Sequence, residues 1–129
     1  MTDPLDSPDE VADRQLKLQL RLAQLERVEA CQQDFLTFVR AMWPEFIAGK
    51  HHRLIAEKLE AVANGKLKRL IVNMPPRHTK SEFASFLFPA WMVGRNPAMK
   101  VIQATHTTEL AVGFGRKVKN LIEREDYEE

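Results

Sequence analysis

The stretch "NMPPRHTKSE", residues 73–82, places two prolines, an arginine, a histidine and a lysine between two apolar runs. Its spacing is that of a phosphate-binding loop, G-x-x-x-x-G-K-[ST], aligned on Lys80-Ser81. In that alignment Met74 and Thr79 occupy the two glycine positions. The expected chemistry is binding of a nucleoside triphosphate, with Lys80 over the β- and γ-phosphates, the Ser81 hydroxyl on Mg²⁺ and Arg77 as a second cation. A basic surface turn is the alternative.

The flanking segments are those that such a loop requires. The apolar run "KRLIVNM" predicts a buried strand before the loop, and "SEFASFLFPAWMVG" predicts a helix after it, shortened or kinked at Pro89. "KVIQAT" predicts a second strand, and "TTELAVGFGRKVKNLIE" a further helix that Thr107 or Thr108 caps. Strands that alternate with helices predict an α/β fold with a parallel sheet and right-handed crossovers.

The first third of the chain is different. Residues 1–9 are acidic, carry two prolines and predict a disordered leader. Residues 10–41 show apolar residues at helical spacing, including Leu18, Leu22, Leu25 and Val28, and predict a helical segment broken at most once. A short coiled coil is an alternative there, although the heptads are few. A second helix, "HRLIAEKLEAVANG", should stop at Asn64-Gly65.

Composition and charge limit the class of protein. The chain has 129 residues, 44% of them hydrophobic and 29% charged, which fits one modest folded domain. The net charge is +1, but the charges are unevenly distributed: both ends are acidic and the centre is basic. A basic centre suits a phosphorylated ligand or nucleic acid. A single cysteine, Cys31, excludes an intrachain disulfide and predicts a reducing compartment, and no apolar run predicts a membrane span.

Residues 35–125 resemble the start of the ATPase domain of the large terminase subunit of tailed bacteriophages, the motor that packages viral DNA. The loop of that family is a deviant Walker A, often P-P-R-x-G-K-S, and this chain has Pro75, Pro76, Arg77, Lys80 and Ser81 in those places. Thr79 departs from the common form. The resemblance implies that residues 42–129 are the N-terminal part of an ASCE-type P-loop NTPase domain.

The resemblance also implies roles for residues and partners. Lys80 and Arg77 would be catalytic, Ser81 would hold Mg²⁺, and Trp43, His51 and His52 would lie where the family recognises adenine. The implied ATP-contacting loop residues are Pro76, Arg77, His78, Thr79, Lys80 and Ser81. The implied partners are double-stranded DNA, a portal protein and a small terminase subunit, with a homo-oligomeric ring in the full-length protein and the host cell cytoplasm as location. Trp43 as a core residue and the histidines as exposed residues are the alternative interpretations.

Two features of the family are missing. No apolar strand ending in Asp-Glu follows Ser81, so the Walker B carboxylates are absent, and so is the carboxylate cluster of the family's nuclease domain. We therefore expect an N-terminal portion of a terminase, with binding chemistry but little ATPase activity alone. The alternatives are a fragment of another P-loop DNA-dependent ATPase, such as a helicase-like enzyme, or a non-enzymatic helical interaction protein. A zinc site formed by His51, His52, His78 and His106 has no recognisable ligand spacing.

Overall fold

The computed structural model describes residues 7–128, and these form helices joined by turns and extended segments. The helices, in chain order, are α1 (Pro8–Gln33), α2 (Phe35–Met42), α3 (Lys50–Ala63), a π-helical segment (Glu82–Leu87), α4 (Phe88–Arg95), α5 (Thr108–Ile122) and α6 (Glu125–Glu128). Most of the predicted acidic leader, residues 1–6, lies outside the described residues.

The predicted α/β fold with its ASCE-type parallel sheet is wrong for residues 7–128, which contain no strand. "KRLIVNM" and "KVIQAT" are non-helical, but neither pairs with another segment as a strand. A strand is stable only when a neighbour satisfies its backbone and a second layer covers its face. Here the alternating residues Leu70, Val72 and Met74 pack directly on the helical core, while Ile71 between them is 85% exposed.

The helix ends follow local signals. Ser7 and Glu10 form a reciprocal capping box at the start of α1. Asp34 ends α1 and also caps α2, because its carboxylate accepts a hydrogen bond from the Thr37 backbone N–H at 2.8 Å. Gly65, with a φ of 73°, follows α3 in the left-handed conformation that favours glycine. Thr107 caps α5 through its hydroxyl oxygen, which accepts from Leu110 N–H at 3.3 Å.

The core is built around Phe35 at the start of α2. Its ring is fully buried and lies 5.5 Å from the ring of Phe83, 5.8 Å from Phe88 and 5.3 Å from Trp91. Its backbone N–H donates to the Glu60 carboxylate at 2.9 Å, which links α2 to α3. The helices that flank the candidate loop are therefore anchored to a single aromatic centre.

Pro89 changes the helix that follows the loop. Proline has no N–H to donate and crowds the carbonyl four residues earlier, which belongs to Ser85. The helix is π-helical over Glu82–Leu87. The Ser85 carbonyl, which cannot accept a hydrogen bond from Pro89, accepts one from the Gln103 side chain. This bond ties the segment that contains "KVIQAT" to the helix after the loop.

Candidate anion-binding loop

Residues 76–79 form a tight turn between the extended segment and the helix that begins at Lys80. Arg77 and Thr79 have positive φ values of 65° and 61°, whereas His78 between them does not. Alternation of left- and right-handed residues turns successive backbone N–H groups toward one side and produces a concave anion site in many proteins. The loop thus has, without glycine, the backbone form that glycine usually supplies.

Thr79 adopts a conformation that is unfavourable for a β-branched residue, at a cost of about 1–3 kcal/mol. Its hydroxyl is held on both sides: it lies 2.6 Å from His52 Nε2 and donates to the His78 carbonyl at 2.6 Å. These two bonds stabilise the turn at the position where the sequence departs from the usual glycine.

The protonation state of His52 follows from its partners. Its Nδ1 accepts a hydrogen bond from the Gly49 backbone N–H at 2.9 Å, so the proton is on Nε2, which donates to Thr79 Oγ1. Burial first, and then the nearby His51 and His78, lower the pKa of His52 below its ordinary value of 6.5. The neutral imidazole is therefore the form that connects the start of α3 to the loop.

Two helix N-termini meet at this place, because the bond between His52 and Thr79 joins the first turn of α3 to the residue before Lys80. The ring centroids of His51 and His52 lie 3.8 Å apart, and those of His51 and His78 lie 6.1 Å apart. Helix N-termini carry partial positive charge. The local field thus favours an anion.

The cations of the predicted site are available to a ligand. Within residues 7–128, neither the Arg77 guanidinium nor the Lys80 ammonium forms a hydrogen bond or an ion pair. Ser81 is exposed at the helix start, and Pro76 contributes its carbonyl to the His78 ring at 3.0 Å. Arg77 and His78 are exposed in the turn and Ser81 is exposed at the helix start, whereas Thr79 and Lys80 between them are partly buried.

The three residues predicted to recognise adenine are in different surroundings. His52 is only 8% exposed, with its ring centroid 4.8 Å from that of Phe46 and 5.4 Å from that of Phe83. Trp43 packs on Phe46 at 5.4 Å, at the edge of the core. His51 is exposed and lines a cleft of about 230 Å³ beside the loop entry. Of the three, His51 has the environment that suits contact with a base.

The same cleft contains two residues that sequence analysis missed, Lys58 and Asn73. Asn73 directly precedes the loop, and its amide offers both donors and an acceptor to a base edge. The only sequence signal for Asn73 is its position in "NMPP", while nothing marks Lys58. A larger cleft, of about 800 Å³, lies between α1, α4 and α6, and none of the predicted site residues lines it.

In the part of the chain from residue 7 to residue 128, no three His, Cys, Asp or Glu side chains are grouped so as to hold a metal ion. No helix there is long and apolar enough to cross a membrane.

The buried histidine leads to a pH prediction. A lowered pKa means that the native state binds fewer protons than the unfolded chain, so the His52 contribution to stability is complete above about pH 6.5 and is lost as the pH falls below it. We expect the free energy of unfolding, measured with urea, to decrease between about pH 7.5 and about pH 5.5.

The control for this prediction is His52→Gln, because a glutamine amide can still donate to Thr79 but does not titrate. The variant should lose most of the decrease. Glu60, whose pKa is raised mainly by burial, acts in the opposite direction in both proteins and so cancels in the comparison. Equal pH dependence in the two proteins would contradict the role assigned to His52.

Comparison of the chain with protein-family models, with curated proteins and with solved structures finds no match.

Proposed function

We propose that the chain binds the phosphate tail of a nucleoside triphosphate with Mg²⁺ at residues 75–81, which comprise the turn and the helix start that follows it. The observation that supports this most strongly is the positive φ of Thr79 directly before Lys80, which gives the backbone the glycine-like form of a phosphate loop. The helix start, the Arg77 guanidinium and the Lys80 ammonium add charge complementarity to phosphate oxygens.

The roles within the site follow from chemistry. Lys80 would contact the β- and γ-phosphates, Arg77 would contact the terminal phosphate, and the Ser81 hydroxyl would be a ligand of Mg²⁺. The adenine of ATP lies toward His51 and Asn73. The cleft there is smaller than most ligand pockets, so the base contributes less to affinity than the phosphates do.

We further propose that this binding belongs to a phage DNA-packaging motor, as part of a terminase large subunit in the cytoplasm of the host cell. The support is the match of Pro75, Pro76, Arg77, Lys80 and Ser81 to the family loop. Double-stranded DNA, a portal protein, a small terminase subunit and a homo-oligomeric ring are the partners and the assembly that this proposal includes. Exposed cations such as Arg116 and Lys119 on α5 are suited to a phosphate backbone.

The roles above are roles in binding ATP, not in hydrolysing it. In a motor of this kind, a carboxylate at the end of an apolar strand orients the attacking water, and no apolar run of this chain ends in Asp-Glu. The acid nearest the loop, Glu82, forms an ion pair with Lys117 at 3.3 Å. We therefore do not propose that the described residues hydrolyse ATP.

Competition among ligands tests the proposal. We expect saturable, Mg²⁺-dependent binding of ATP in titration calorimetry, with inorganic triphosphate competing and adenosine not competing, because the cations and helix start recognise phosphate. Binding of adenosine as tight as that of ATP, or no saturable binding of either, would contradict the phosphate site. A DNA fragment that binds while ATP does not would favour a basic surface turn instead.

A further inference from the structure

Helix α1 carries two leucine stripes on opposite sides. At about 100° per residue, Val11, Leu18, Leu22 and Leu25 lie within about 60° of one another, whereas Leu20 is about 170° from their centre. Leu20 and Ala23 face the body of the molecule, where they line the large cleft beside α4. The first four residues form the outer stripe, and none of its leucines is buried: Leu18, Leu22 and Leu25 are 64%, 58% and 52% exposed.

The outer stripe has the spacing of a coiled-coil seam. Val11, Leu18 and Leu25 recur every seven residues and occupy d positions of successive heptads. Leu22 follows Leu18 by four residues and occupies an a position. No other part of the described chain covers the three leucines, since the opposite side of α1 lines the cleft beside α4. We propose that a second copy of this chain covers the outer stripe, forming a parallel, two-stranded coiled coil through α1.

Charge complementarity supports a second copy and its orientation. In this register Arg21 is at a g position and Glu26 is at the following e position, which is the pair that meets between chains in a parallel dimer. The two-fold axis produces this pair twice. An antiparallel pairing would instead place the g positions, Arg14 and Arg21, opposite each other.

The pair between chains does not compete with a strong bond inside the chain. Arg21 donates to the Gln24 side chain at 3.0 Å on the exposed surface, and residues 21 and 26, five apart, do not meet on one helix. Arg21 can therefore turn to Glu26 of a second copy at little cost.

The seam is short, and this determines the strength of the dimer. The neighbouring a positions are Gln15 and Glu29, and polar residues at such positions lower stability. The association is therefore reversible and weakens with salt, because its flanking charges are exposed.

Sedimentation velocity of the full chain over a range of concentrations, with a reducing agent present to prevent a Cys31 disulfide, tests the proposal. The wild-type chain should dimerise reversibly. The double variant Leu18→Ala, Leu22→Ala should raise the dissociation constant at least about 10-fold, because it removes two leucine side chains per chain, four in all, from the dimer interface. Leu16→Ala is the matched control, since Leu16 is 54% exposed on the same helix but lies off the outer stripe. It should change the constant by less than about twofold, with helicity by circular dichroism unchanged in both variants.

Charge exchange tests the orientation. Arg21→Glu alone and Glu26→Arg alone should each weaken self-association, and an equimolar mixture of the two should associate again, because both pairs between chains are then complementary. A monomer at all concentrations, equal weakening by Leu16→Ala, or a mixture that stays dissociated would overturn the parallel dimer. Binding of a monomeric chain to lipid vesicles through the same leucines would overturn it as well.

Discussion

Replacing Phe35 with alanine is expected to lower the free energy of unfolding by about 3–5 kcal/mol, a large part of the stability of a domain this size. The ring is fully buried and lies against Phe83, Phe88 and Trp91, so its removal leaves a cavity that rigid aromatic neighbours cannot fill. Urea unfolding followed by circular dichroism measures the loss.

The control is Ile71→Ala. Ile71 is 85% exposed, so its truncation should change stability by no more than about 0.5 kcal/mol. In a covered parallel sheet Ile71 would be buried, and its truncation to alanine would lower the free energy of unfolding by about 2–5 kcal/mol. A large loss of stability in Ile71→Ala together with a small loss in Phe35→Ala would contradict the helical arrangement of the described residues.

Replacing Lys80 with alanine is expected to weaken Mg-ATP binding about 10- to 100-fold, since a hydrogen bond to a charged group is worth about 1.5–3 kcal/mol. The ammonium has no partner within residues 7–128, so its removal should leave the fold intact and affect only the bound phosphates. Titration calorimetry measures the affinity, and the unfolding midpoint checks that the fold is unchanged.

Lys119→Ala is the matched control for Lys80. It removes the same charge from an exposed position in the last turn of α5, where Lys119 forms an ion pair with Glu123 at 3.6 Å. Affinity for Mg-ATP should stay within about twofold of wild type. If both lysine variants bound equally well, or if they lost affinity equally, the phosphates would not be held at the loop but by diffuse surface charge.

The sequence alone determined most of the helix boundaries, because they depend on residues within a few positions of one another. The stop at Asn64-Gly65 and the Thr107 cap each satisfy backbone groups locally. The start of α1 differs from the prediction, because Pro8 and Asp9, predicted to belong to the disordered leader, are helical and follow the Ser7 cap. The place of the candidate loop was equally visible, since two prolines and four polar or basic residues between apolar runs must lie at the surface.

Tertiary structure alone decided what the apolar runs on either side of the loop do. A short apolar run is compatible with a buried strand or with packing on helices, and the choice depends on whether a distant partner pairs with it. Leu70, Val72 and Met74 pack on helices here. The support of Thr79 by His52, 27 residues earlier, is likewise a contact between distant segments. Local spacing could locate the loop, but only packing between helices brought the His52 imidazole to Thr79, whose positive φ is unfavourable for a β-branched residue.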